Sequence, residues 1–123
     1  MDRSQAYSPL TLAYIGDAVF EILVRTHVLD QNGNMQAAKL HKKSAAMVNA
    51  TAQSEAYFKI QDHLSEDELD VLKRGRNARS FTMAKNASVS DYRHATGVEA
   101  LFGYLYLAGN HKRITQLFNI INE

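Results

Sequence analysis

Two carboxylates stand where carboxylates are costly. Asp17 lies in Tyr14-Ile15-Gly16-Asp17-Ala18-Val19-Phe20, and Glu99 lies in Thr96-Gly97-Val98-Glu99-Ala100-Leu101-Phe102-Gly103, both within otherwise apolar sequence. An ionised acid among apolar neighbours is unfavourable unless it is paired or bound to a cation. A glycine precedes each acid within two positions, and Gly103 follows Glu99 by about one helical turn. Small residues at such places let two helices approach closely, so the two acids can converge on one ion. The same spacing also fits a plainer arrangement, with Asp17 facing solvent beside Glu21 and Glu99 on an exposed stripe.

Other chemistries are excluded by composition. The sequence holds no Gly-x-Ser-x-Gly elbow, no phosphate-binding Walker loop, no His-Glu-x-x-His zinc helix and no Glu-x-x-His pair for a di-iron bundle. His27, His41, His63, His94 and His111 show no ligand spacing and receive no role. Cysteine is absent, which removes disulfides and thiolate metal sites and fits a reducing compartment. The start, MDRSQAYSPL, lacks the apolar run of a secretory signal, and every apolar stretch is interrupted by polar residues. The expectation is a soluble, cytoplasmic protein with no membrane partner.

Net charge is only +1, but its distribution is uneven. Between residues 73 and 93 stand Lys73, Arg74, Arg76, Arg79, Lys85 and Arg93 against the single acid Asp91, whereas the remainder is acidic. One basic patch on an acidic body suits a polyanionic partner, or is simply a solvated basic face.

Helices must position these residues. With one proline and six scattered glycines the chain has little punctuation for β-structure, and 123 residues, 46% of them hydrophobic, predict one domain spanning 1–123. Ser8-Pro9 starts a helix whose apolar residues keep helical spacing to about Leu29. The cluster at 31–34 is a turn, with Asn34 suited to cap the next helix, which runs or bends into Tyr57, Phe58 and Ile60. Ser65-Glu66-Asp67-Glu68 reads as a capping box. Residues 80–89 read as a loop, Ser90 opens a helix that Gly109 closes, and Asn110 caps a last amphipathic helix. The fold class is an all-α bundle.

The motifs themselves resemble a known family. Leu12-Ala13-Tyr14-Ile15-Gly16-Asp17-Ala18-Val19 is similar to the signature of the ribonuclease III family, usually Leu-Glu-Phe-Leu-Gly-Asp-(Ala/Ser)-Val. Thr96 through Gly103 is similar to its second hallmark, Asp-x-x-Glu-Ala-Leu-x-Gly, and His41-Lys42-Lys43-Ser44 and Arg74-Gly75-Arg76-Asn77-Ala78 match in order and spacing. The likeness covers nearly the whole chain and is nearest to the Mini-ribonuclease III branch, a catalytic domain without a double-stranded-RNA-binding domain. The family's first glutamate falls at Ala13 and the aspartate of its second motif at Thr96, so two of the family's usual acids are replaced.

The resemblance implies a homodimeric ribonuclease III-like catalytic fold that hydrolyses double-stranded RNA with Mg²⁺, leaving a 5′-phosphate and a 3′-hydroxyl. It carries Asp17 and Glu99 over as metal-binding catalytic acids, with one ion favoured because two acids remain. Arg74, Arg76, Arg79, Lys85 and Arg93 are the expected RNA contacts. The substrate it implies is precursor ribosomal RNA of the large subunit, with a ribosomal protein on that RNA as helper. Tyr7, Tyr14 and Phe20 are candidates either for the dimer surface or for the core. A catalytically silent RNA- or ribosome-binding protein is the competing expectation, supported by Ala13 and Thr96.

Overall fold

The computed structural model describes residues 4–79 and 88–123, and every described element is helical. Six α-helices follow a short 3₁₀ turn: α1 (Pro9–Asn32), α2 (Ala37–Val48), α3 (Ala50–Ile60), α4 (Glu66–Asn77), α5 (Val89–Leu107) and α6 (His111–Ile121). The all-α expectation holds.

Local chemistry accounts for most boundaries. The Ser8 side chain accepts from the Thr11 backbone N–H with Pro9 in the first turn, and Gly33 ends α1 at a positive φ of 65°. One helix was expected to run or bend from Ala37 into Ile60. It breaks at Asn49, whose extended backbone and side chain, accepting from Ala52 N–H at 2.8 Å, cap α3. Asn34 does not cap α2; that position belongs to Gln36, which makes no side-chain capping bond. Ser88 rather than Ser90 opens α5, accepting from Asp91 N–H at 3.0 Å. The expected capping box at Ser65 and Glu68 forms in full, and Asn110 caps α6.

The long α5 is the axis of the bundle. Its Val98, Leu101, Phe102 and Leu105 are buried against Phe20 and Val24 of α1, Tyr57 and Ile60 of α3, Leu72 of α4 and Leu117 of α6. Phe20 meets Phe102 edge-on at 5.4 Å and Phe118 at 6.0 Å. Side chains of this size each contribute ~1.5–3 kcal/mol on full burial. Their joint effect is to fix α5 rigidly.

A charged clamp joins α6 to the start of α4. Arg113 donates through Nε and one terminal nitrogen to the two oxygens of Glu68, both at 2.9 Å, and to the His63 carbonyl. Burial alone would raise the Glu68 carboxyl. The Arg113 guanidinium and the Ser65 backbone N–H outweigh that and hold it below its ordinary value.

Candidate active site

Two close helix crossings build the site. Where α1 meets α5, a Cβ on Gly16 would run into the Glu99 carbonyl group, with the Gly103 nitrogen only 2.8 Å away. A Cβ on Gly103 would in turn strike the Leu12 carbonyl and sit 2.9 Å from Ile15 Cγ2. No other residue type fits between these backbones. Because residue 12 lies against 103 and residue 16 against 99, the helices run antiparallel, and the position after Gly16 comes up beside Glu99. The second crossing joins α4 to α5, where a Cβ on Gly75 would lie 2.8 Å from Ala100 Cβ and one on Gly97 would lie 2.7 Å from the Leu72 carbonyl.

The carboxyl groups of Asp17 and Glu99 lie within hydrogen-bonding reach of each other. Asp17 is exposed and Glu99 is partly buried, so only Glu99 occupies the sheltered position anticipated for both. Burial pushes the Glu99 carboxyl up to about 8; the negative charge of Asp17 and the hydrogen bond between the two acids add to this, and a hydrogen bond from Gln53 partly offsets it. Without a counter-charge the pair therefore retains a proton near neutral pH. Asp17 also faces an open depression with Tyr14, Ala18, Glu21 and Arg25, where Arg25 is already paired with Glu21 at 2.8 Å.

The two replaced acids have structural fates. Ala13 is buried in an apolar cluster with Leu12, Val71 and Ala100. Thr96 is buried and donates its hydroxyl to the Tyr92 carbonyl of its own helix at 2.9 Å. Neither offers an ionised oxygen. Among the described residues no group of three or more acids, histidines or cysteines is placed to hold a metal ion. The donor set at the crossing is a pair of carboxylates open to solvent on one side. That set suits a hard divalent cation that keeps several waters, Mg²⁺ being the type case.

The basic residues are spread around α4 and the start of α5. Arg76 leans onto α3, donating to Tyr57 Oη at 3.0 Å and to Asn77 Oδ1 at 3.1 Å. Arg74 lies two residues from Arg76, on the opposite side of the helix. It borders a cleft with Asp67, Asp70 and Tyr7 and stands 3.9 Å from Asp70. Arg79 and Arg93 are exposed, and Lys85 lies outside the described residues.

Of the three candidate aromatics, Phe20 belongs to the core, at 2% exposure. Tyr14, at 80%, stands out from α1 together with Leu10 and Ile22, and Tyr7 is also exposed. Helical spacing places Leu10, Tyr14, Ala18 and Ile22 along one stripe beside Asp17.

Sequence reasoning missed Gln53. It is buried, at 4% exposure, and lies in register with the apolar face of α3 formed by Ala56, Tyr57 and Ile60. That register was the available signal.

Residues 10–110 match the Ribonuclease III domain family. The chain is 49% identical over 114 residues to a Mini-ribonuclease 3 of Clostridium tetani, covering 93% of this chain and 76% of that protein. It is 42% identical to a Mini-ribonuclease 3 of Staphylococcus aureus, covering 94% and 90%. A crystal structure of a Fusobacterium nucleatum protein superposes with a TM-score of 0.85 at 35% identity, covering 94% of this chain and 93% of the other.

Proposed function

The chain belongs to the ribonuclease III family, and from that premise we propose that it is a divalent-metal-dependent endoribonuclease cutting double-stranded RNA as a homodimer. The observation that carries the reading is the meeting of Asp17 and Glu99 at a crossing only glycines permit. Two acids this close repel one another once both are ionised, a cost that a bound cation would offset. A bound Mg²⁺ supplies polarisation of the scissile phosphate and a more acidic attacking water. Asp17 and Glu99 provide the protein oxygens for one such ion.

The basic residues hold the duplex. A-form RNA offers phosphates and 2′-hydroxyls across a shallow minor groove, so charge and shape dominate over base reading. Arg79 and Arg93 reach phosphates from exposed positions, and Lys85 joins them. Arg76, steadied by Tyr57, presents its charge from the side of α4 that faces α3. Arg74 contributes from the far side of α4 after exchanging Asp70 for a phosphate.

Dimerisation uses the apolar stripe of Leu10, Tyr14 and Ile22. Apolar side chains exposed along one helix favour a protein partner over water. The stripe borders Asp17, so each protomer brings its acids to the edge of a shared groove, and each cuts one strand. The product ends are a 5′-phosphate and a 3′-hydroxyl. The natural substrate in this reading is precursor ribosomal RNA of the large subunit, presented with a ribosomal protein, in the cytoplasm.

The competing reading, a silent RNA binder, draws on Ala13 and Thr96. The test for both is Asp17→Asn mixed with duplex RNA and Mg²⁺. Cleavage should fall ~10³-fold, equivalent to about 4 kcal/mol of transition-state stabilisation, while RNA binding persists. A parent protein that binds duplex but never cuts, with any divalent ion, makes the silent reading correct.

A further inference from the structure

Phe58 and His94 form an aromatic pair at the surface, joined through Tyr57 to one of the expected RNA contacts. Phe58, on α3, is 53% exposed, although its neighbour Tyr57 is fully buried. The His94 ring of α5 lies against both. Its centroid is 4.5 Å from that of Tyr57, edge-on at 88°, and 4.8 Å from that of Phe58, tilted by 37°. Tyr57 in turn accepts from Arg76 at 3.0 Å, and the guanidinium carbon of Arg76 stands 6.0 Å from the centre of its ring. Arg93, next to His94 in the chain, is exposed. His94 carried no ligand spacing in the sequence, but its neighbour fixes where its proton sits. The Ser90 carbonyl, 2.6 Å from Nδ1, can only accept, so Nδ1 holds the proton. Nε2 has no hydrogen-bond partner among the described residues.

We propose that Phe58 and His94 form a stacking platform for one unpaired nucleobase of the bound RNA. The inference rests on the ribonuclease reading and deepens it, because it makes a duplex interrupted by an unpaired base the preferred substrate. Phe58 meets Tyr57 and His94 on its inner side, which leaves its exposed surface for a planar partner. Every base has a π face whatever its identity, and unpaired RNA bases are commonly held by stacking on aromatic or histidine rings. Covering the exposed ring with a base removes apolar surface from water without breaking any contact of the bundle. Charge favours a base over a phosphate at the ring itself. Asp62 follows Phe58 by four residues, and Asp91, which accepts from Thr51 at 3.4 Å, precedes His94 by three. These acids repel a phosphate there, whereas Arg76 and Arg93 alongside attract the phosphates flanking an extruded base. Nε2 of His94 is then available to a polar edge of the base. A base inside a perfect duplex is stacked on its neighbours and cannot reach the platform without first being unstacked.

The plainer role of the pair is to cover Tyr57 from water. The two are separated by RNA binding in metal-free buffer, where the RNA remains uncut, using blunt duplexes of the same sequence. One duplex is fully paired, and the others carry a single unpaired adenosine at successive positions. The parent should bind the best-placed interrupted duplex about tenfold more tightly than the paired one. Phe58→Leu should bind all of them alike, with its affinity for the paired duplex and its urea unfolding midpoint close to the parent's. Phe58→Tyr should keep the preference. A Phe58→Leu variant that retains the preference, or a folded Phe58→Tyr variant that has lost it, overturns the platform. So does a parent that shows no preference at any position while cutting paired RNA with Mg²⁺, and the ribonuclease reading then stands. A parent that neither binds nor cuts any of the duplexes overturns that reading and this inference together.

Discussion

Replacing Asp17 by Asn should flatten the pH dependence of folding as well as stop cleavage. Glu99 titrates at about 8 in the folded protein against an ordinary value of 4.5. Between these limits the unfolded chain is ionised there while the folded chain keeps its proton. Stability from this group is therefore fully present below about pH 4.5 and is lost as pH rises through about 8. Each pH unit separating the two titrations is worth about 1.4 kcal/mol, so the whole displacement has an upper limit of about 5 kcal/mol. Burial is the largest cause and remains in the variant; the charge and hydrogen bond of Asp17 follow it and are altered by the substitution. A share of about 1–2 kcal/mol is thus expected to disappear. The assay is urea unfolding of metal-free parent and Asp17→Asn at intervals from pH 5 to 9, repeated with saturating Mg²⁺. The parent should lose stability across that range and recover it with Mg²⁺, whereas Asp17→Asn should lose less and recover little. Parallel curves for the two proteins, or no response of the parent to Mg²⁺, would show that the acids do not interact as argued.

Gly16→Ala should be more damaging than an ordinary glycine change in a helix. Its Cβ must displace the Glu99 backbone, and α1 must retreat by roughly 1.5 Å or more, at a cost of about 1–3 kcal/mol. Cleavage should fall by about 10²-fold even at temperatures where the variant remains folded, and wild-type turnover by a folded Gly16→Ala would contradict the tight crossing. Arg113→Met leaves the Glu68 carboxylate buried without its partner and should destabilise by about 3 kcal/mol at pH 7. Because Glu68 is held below its ordinary value, that deficit should shrink as pH falls through the folded titration, which acid unfolding curves would reveal. Arg79→Glu with Arg93→Glu should weaken duplex binding and lower the slope of log affinity against log salt by about one for each phosphate no longer neutralised; an unchanged slope places the RNA elsewhere. Tyr14→Asp should yield monomers in sedimentation with little loss of helicity, since the side chain is 80% exposed, and a persistent dimer would move the interface off α1.

Local sequence was enough to determine what the backbone decides locally. Ser8-Pro9, the Ser65–Glu68 capping box and Asn110 define helix ends through hydrogen bonds spanning a few residues, so their effect is visible in the residue order itself. The motif around Asp17 and Glu99 likewise carried its own sign, acids beside glycines in apolar helices, and the close crossing at Gly16 and Gly103 followed it. Where two caps competed, the pattern misled: Asn49 stood unnoticed inside an apolar periodicity that continued across the break, and Ser88 won over Ser90.

Only the tertiary structure decided which side chains share an environment. Asp17 and Glu99 could each have faced water; the antiparallel contact of α1 with α5 made them neighbours, and the burial of Glu99, together with the charge of Asp17 beside it, raised its titration. Phe20 and Tyr14 are both aromatic residues of α1, yet one is sealed against Phe102 and Phe118 and the other projects into solvent. Arg74 and Arg76, nearly adjacent in the chain, were divided between two faces of α4. Residue order specifies hydrogen bonds and periodicity along one helix, whereas charge, solvation and partnership depend on distances between helices that no spacing along the chain encodes.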